Sequence, residues 1–91
     1  MENWDKKLHD FGTVPKGCTL KTEFEYLGNK QIKEIEPTCN CVGFILEGNC
    51  LKVKWNVKKV AVVSYQSNKT VMVVYEDGTL DDLTLTAYIQ V

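Results

Sequence analysis

Glu36-Pro37-Thr38-Cys39-Asn40-Cys41-Val42-Gly43-Phe44 is the stretch on which the fold reading turns. A strand-like run ends at Pro37, which lacks the N–H that a sheet ladder needs. Another apolar run begins at Val42 and continues to Leu46. A chain that stops one strand and starts another across a few small polar residues is turning a corner. We read residues 36–44 as a sheet-crossing corner of a β-sandwich. Cys39 and Cys41 also make it the first place to look for reactive chemistry.

Outward from the corner, the apolar residues recur with the period of two that marks a half-buried strand. In Cys50–Val57, Leu51, Val53, Trp55 and Val57 point one way, and Lys52, Lys54 and Asn56 the other. Cys18–Leu27 alternates likewise, with Cys18, Leu20, Thr22, Phe24 and Tyr26 opposed to Thr19, Lys21, Glu23 and Glu25. Trp55 is the best candidate for the centre of the core, with Phe24 and Phe11 beside it. Leu8–Val14 reads as a first strand closed by the turn Pro15-Lys16-Gly17. Gly28-Asn29-Lys30 and Glu47-Gly48-Asn49 are further turns. Gln31–Glu36 carries Ile32 and Ile35 three apart, so a bulge or bend is expected there.

Beyond Val57 the pattern is less regular. Lys58–Gln66 holds Val60, Ala61, Val62 and Val63 and reads as a strand or a crossing segment, with Ser67-Asn68-Lys69 as a break. Thr70–Glu76 is a β-branched strand, and Asp77-Gly78 a hairpin signal. The last strand runs over Leu83–Val91. Leu80 and Leu83 are out of phase, which predicts a bulge near Asp81-Asp82. No amphipathic helix, repeat or low-complexity tract interrupts this pattern. Strands of about seven or eight in number, spaced by turn signals, make an all-β antiparallel sandwich of the immunoglobulin-like kind the expected fold.

A length of 91 residues bounds the answer to one domain. We place it at 8–91, behind an arm of residues 1–7 that is polar except for Trp4. That tryptophan either folds back on the domain or docks on a partner, since an exposed indole is costly and effective at interfaces. The net charge is −1, and all 11 basic residues are lysine. Without arginine there is no bidentate reader of guanine or phosphate, and Lys52, Lys54, Lys58 and Lys59 read as a solvated strand face. Nucleic acid is therefore not an expected partner. No apolar run is long enough to span a membrane, and none follows the charged start as a secretory signal would require.

Four cysteines, Cys18, Cys39, Cys41 and Cys50, are expected as reduced, inert thiols in the absence of an export signal. A disulfide such as Cys18–Cys50 belongs to an oxidising compartment. A metal site needs three or four ligands, and Cys39 and Cys41 supply two, with Cys18, Cys50 or His9 as further candidates. The acids Glu76, Asp77, Asp81 and Asp82 lack the alternation of a calcium loop and read as turn chemistry. His9 is the sole histidine, and Ser64 and Ser67 the only serines. None stands in a nucleophile elbow or beside a phosphate-cradling loop. We expect no enzymatic activity, no metal and no cofactor.

His9-Asp10-Phe11-Gly12-Thr13-Val14, Gly17, Phe24 with Gly28-Asn29 after it, Ile35 and Thr38-Cys39-Asn40-Cys41 follow a recognisable order. They resemble the bacterial immunoglobulin-like domains of unknown function with an "FG.V..G" opening, an "F...N.G" strand and a "CGC" corner. Those domains are similar to the ASH, major-sperm-protein and hydin group. The resemblance covers about residues 9–57, and it implies a scaffold or adhesive module. Asn40 stands where the pattern has glycine, and asparagine tolerates the left-handed φ such a bend uses. A lone domain of this kind without an export signal implies a small phage virion component, an auxiliary or decoration protein. Its partners would be the major capsid or other virion proteins, and it would be present in many copies, held by an exposed sheet edge, by Trp4, or by both. The alternatives are an interaction module of the bacterial cytoplasm or periplasm, and a small thiol or copper-binding protein using Cys39 and Cys41.

Overall fold

The computed structural model describes residues 3–60 and 62–91. Seven strands form two sheets: β1 (Leu8–Pro15), β2 (Thr19–Glu25), β3 (Ile32–Pro37), β4 (Val42–Glu47), β5 (Cys50–Asn56), β6 (Tyr65–Tyr75) and β7 (Leu80–Gln90). One sheet has the order β1-β7-β6-β3 and the other β2-β5-β4, an immunoglobulin-type sandwich. The pairing is antiparallel except between β1 and β7, which run parallel. No helix occurs among the described residues. The body is elongated, 44 × 21 × 20 Å.

The alternating residues meet between the sheets. Leu51, Val53 and Trp55 of β5 and Phe24 of β2 face Val71, Val73 and Tyr75 of β6 and Leu83, Leu85, Ala87 and Ile89 of β7, all buried. Phe11 is half-buried at the rim, its ring 6.3 Å from that of Trp55. Burying a side chain of this size stabilises the fold by about 1.5–3 kcal/mol, so these strands hold the sandwich together.

Residues 38–41 carry the chain from β3 in one sheet to β4 in the other, the crossing expected of the corner. The register shift between Ile32 and Glu34 accounts for the odd spacing of Ile32 and Ile35. Three expectations are corrected. No bulge occurs at Asp81-Asp82: β6 and β7 pair without interruption from Tyr65↔Ile89 to Val74↔Leu80. The inward position before Leu83 is filled by Asp81, not by a leucine, and Leu80 is simply exposed. Ser67-Asn68-Lys69 lies inside β6, where Asn68, Gln66 and Thr86 are joined by side-chain hydrogen bonds across the hairpin. No non-glycine residue has a positive φ among those described, so the corner bends without a left-handed Asn40.

The N-terminal segment belongs to the domain. Trp4 is 1% exposed, bridges to Tyr26, and packs on its ring at 5.0 Å with the two planes tilted by 48°. Trp4 Nε1 donates to Tyr75 Oη (2.9 Å), which donates to Asp81 Oδ2 (2.6 Å). Asn3 Nδ2 donates to the same oxygen (3.1 Å), and Lys7 pairs with Oδ1 (3.1 Å). The segment passes so close to Gly28 that a Cβ there would lie 2.7 Å from Asn3 Oδ1. Residues 3–7 are thus not an independent arm, and Trp4 is not available to dock on a partner.

Candidate functional site

Most of the residues singled out for chemistry are occupied structurally. Cys39 and Cys41 are joined as a disulfide, not held as thiols. In that state they offer no pair of thiolates to copper. Cys39 O accepts from Val42 N (3.1 Å) and Cys41 O from Asn56 N (2.8 Å), so the bridge sits inside the corner that turns β3 into β4. Cys18 and Cys50 are free and lie at opposite ends of the β2–β5 ladder: Cys18 beside Val57, Cys50 opposite Glu25. Seven residues of strand separate them, about 23 Å at the usual rise, so they do not bridge. Burial and then the Glu23 charge push the Cys50 thiol up, away from a reactive thiolate.

His9 accepts from Lys6 Nζ at Nδ1 (3.0 Å) and stands edge-on to Phe11. Burial and the Lys6 charge lower its pKa and keep the ring neutral. Two of the acids at the β6–β7 hairpin, Asp77 and Asp81, are spent on the fold, while Glu76 and Asp82 are exposed. Asp77 Oδ1 accepts from Thr79 N (3.0 Å) and Thr79 Oγ1 (2.6 Å), and these bonds lead in lowering its pKa. Burial raises the pKa of Asp81, yet the hydrogen bonds from Tyr75, Asn3 and Lys7 together outweigh it and hold the carboxyl below the usual range. Burial and the Asp81 bond push the Tyr75 hydroxyl well up. No cluster of three or more His, Cys, Asp or Glu suited to a metal exists among the described residues.

What the fold leaves open is an edge. A two-sheet sandwich has four edge strands, each with a row of unpaired backbone groups that invites another chain. Three are blunted here. β1 is broken by a bulge between Asp10 and Thr13, where Gly12 takes φ +74 and donates to Asp10 Oδ1, and it ends in Pro15. β2 carries Lys21, Glu23 and Glu25, and residues 3–5 cover its end: Asp5 N donates to Glu25 O (3.0 Å) and Glu25 N to Asp5 Oδ1 (2.9 Å). β3 has Lys33, Glu34 and Glu36 and ends in Pro37.

β4 has none of these devices. Its sequence is Val42-Gly43-Phe44-Ile45-Leu46-Glu47, uncharged until its last residue, with Phe44 38%, Ile45 61% and Leu46 38% exposed. A groove opens on each side of it. On the seam side, Phe44 and Leu46 face Ile32 and Ile35 across the gap between the sheets. On the outer face, Ile45 and the side-chain-free Gly43 lie beside Lys52, Lys54 and Lys21, and Lys52 pairs with Glu47 (3.4 Å). The other seam, between β1 and β2, is filled: Lys6 lies 5.4 Å over the Phe24 ring and donates to Thr22 Oγ1 (3.3 Å).

The sequence marks β4 as a strand but does not mark it as an unprotected edge. The absence of charge from Val42 to Leu46 was the available signal, but edge status depends on the order of strands in space. Lys58 and Lys59, grouped above with Lys52 and Lys54, lie past the end of β5, and Val60, Val62 and Val63 beyond them are also exposed. Ala61 falls outside the described residues. No protein-family model and no curated protein matches this chain.

Proposed function

We propose that this chain is a non-enzymatic interaction module that accepts an extended strand from a protein partner along β4. The observation that carries the reading is the contrast among the four edges: three blunted, and β4 left bare, with a largely apolar groove on its outer face and one of mixed character on the seam side, where Lys30, Lys33 and Glu34 stand beside Phe44, Leu46, Ile32 and Ile35. An added strand gains main-chain hydrogen bonds from β4. Its side chains alternate between the Phe44–Leu46 groove and the Ile45–Gly43 face, which supplies both affinity and selectivity. The setting we propose is a phage virion, with capsid or other virion proteins as partners. The support for that setting is the order of residues 9–57 and its resemblance to immunoglobulin-like domains.

The test is affinity capture of the tagged chain from its native source, beside an Ile45→Lys variant. Ile45 is exposed, so the variant should fold normally, as circular dichroism will check. A charge on the bare edge should abolish recovery of the partner. Equal recovery by both chains would refute the β4 site. Recovery of partners other than virion proteins would remove the virion setting and leave the β4 site standing.

A further inference from the structure

We infer that the strand received by β4 is β4 of a second copy, paired antiparallel about a two-fold axis at Ile45. This rests on β4 being the docking edge. Asn56 N–H donates to Cys41 O, and the register continues as Gly43↔Lys54, Ile45↔Lys52 and Glu47↔Cys50. Antiparallel ladders alternate, so the odd residues of β4 turn their backbone groups toward β5. Phe44 and Leu46 turn theirs outward. With Ile45 opposite Ile45, Phe44 of each copy meets Leu46 of the other, and all the outward groups of these residues are satisfied.

The side chains fit the same register. Phe44 and Leu46 of both copies share the seam side, and the two Ile45 side chains meet on the outer face. Glu47 then stands opposite Gly43. No atom lies within 4 Å of where a Gly43 Cβ would be, and Lys54 is its neighbour on β5. The incoming carboxylate therefore reaches Lys54 across the gap glycine leaves, twice by symmetry. The alternative register, centred on Phe44, puts Glu47 opposite Cys41 and adds no cation from the partner copy to the Lys52 it already pairs with in its own chain. It also needs the Val42 N–H, which is already donated to Cys39 O. The Ile45 register closes as an isologous dimer, joining the two three-stranded sheets into one.

Sedimentation velocity over a range of concentrations tests this. The wild-type chain should dimerise. Glu47→Lys and Lys54→Glu should each weaken the dimer about tenfold, and the double swap should restore it. Ile45→Cys, in a Cys18→Ser/Cys50→Ser background, should form a disulfide-linked dimer on mild oxidation, because non-hydrogen-bonded pairs bring Cβ atoms to about 4.5–5.5 Å. A chain that stays monomeric at every concentration overturns the inference, as does a dimer indifferent to both charge changes. A monomer that still captures a partner, and loses it on Ile45→Lys, refutes self-pairing and leaves the β4 edge as the docking site. Indifference of both self-association and capture to Ile45→Lys refutes the two together.

Discussion

Replacing Trp4 by alanine should come close to unfolding the domain. The indole is 1% exposed, packed on Tyr26, and hydrogen-bonded to the Tyr75 hydroxyl. Truncating a buried tryptophan costs about 3–5 kcal/mol through lost burial and the cavity left behind. A domain of this size has about 5–15 kcal/mol in all. Each kcal/mol shifts the melting temperature by about 4–8 °C, so a fall of at least about 12 °C is expected. Trp4→Phe keeps most of the ring but removes the donor to Tyr75, and should cost about 1–2 kcal/mol. Urea unfolding followed by far-ultraviolet circular dichroism measures both, with Trp55 left as a fluorescent reporter of the core. A loss below about 1 kcal/mol for Trp4→Ala would show that residues 3–7 do not belong to the cooperative unit.

Two further outcomes follow from the same geometry. Asp81 has its carboxyl pKa depressed in the folded state, so its contribution is complete above the unfolded value of about 3.9 and is lost as pH falls through the folded value. The stability advantage of the wild-type chain over Asp81→Asn should therefore shrink between about pH 5 and pH 2 in urea titrations; a constant difference would disprove the linkage. Replacing Cys39 and Cys41 together by serine opens a loop with a sequence separation of only 2. The chain-entropy relation gives about 1.6 kcal/mol for so short a loop, so the variant should remain folded with a modestly lower melting temperature. Failure to fold would show that the bridge shapes the corner and does not merely fasten it.

The strands that face the core on one side only were the most legible part of the chain. Leu51, Val53 and Trp55 announce their face because every intervening residue is polar. The misread places are those where a polar residue takes an inward position and finds partners far away in sequence. Asp81 is tolerated there because Tyr75, Asn3 and Lys7 converge on it, and none of those contacts has a local signature. Trp4 is the other half of the same case: its pocket is built by Tyr26 and Tyr75, so a sequence window around residue 4 contains nothing to bury it. Ser67-Asn68-Lys69 has the composition of a break and the structure of a strand, because the long β6–β7 hairpin pairs its polar side chains across the ladder. The bare edge at β4 was illegible for a different reason. Alternation tells which way a residue points, but not which strand has no neighbour.

The parallel pairing of β1 with β7 has a mechanical consequence. β1 starts at the end of the body where residues 3–7 are anchored, and β7 finishes at the opposite end, with Leu8 beside Thr84 and Pro15 beside Gln90. Tension applied through the two termini pulls these neighbouring strands in opposite directions along their length. The ladder between them is loaded in shear, so its hydrogen bonds stretch together, whereas an antiparallel hairpin pulled at its open end unzips one bond at a time. Force must also pull Lys7 from Asp81 and Trp4 from Tyr75 before it can free the start of β1. A domain threaded this way should resist extension along its 44 Å axis more than one whose terminal strands unzip, which force spectroscopy of the wild-type chain against Trp4→Ala would measure.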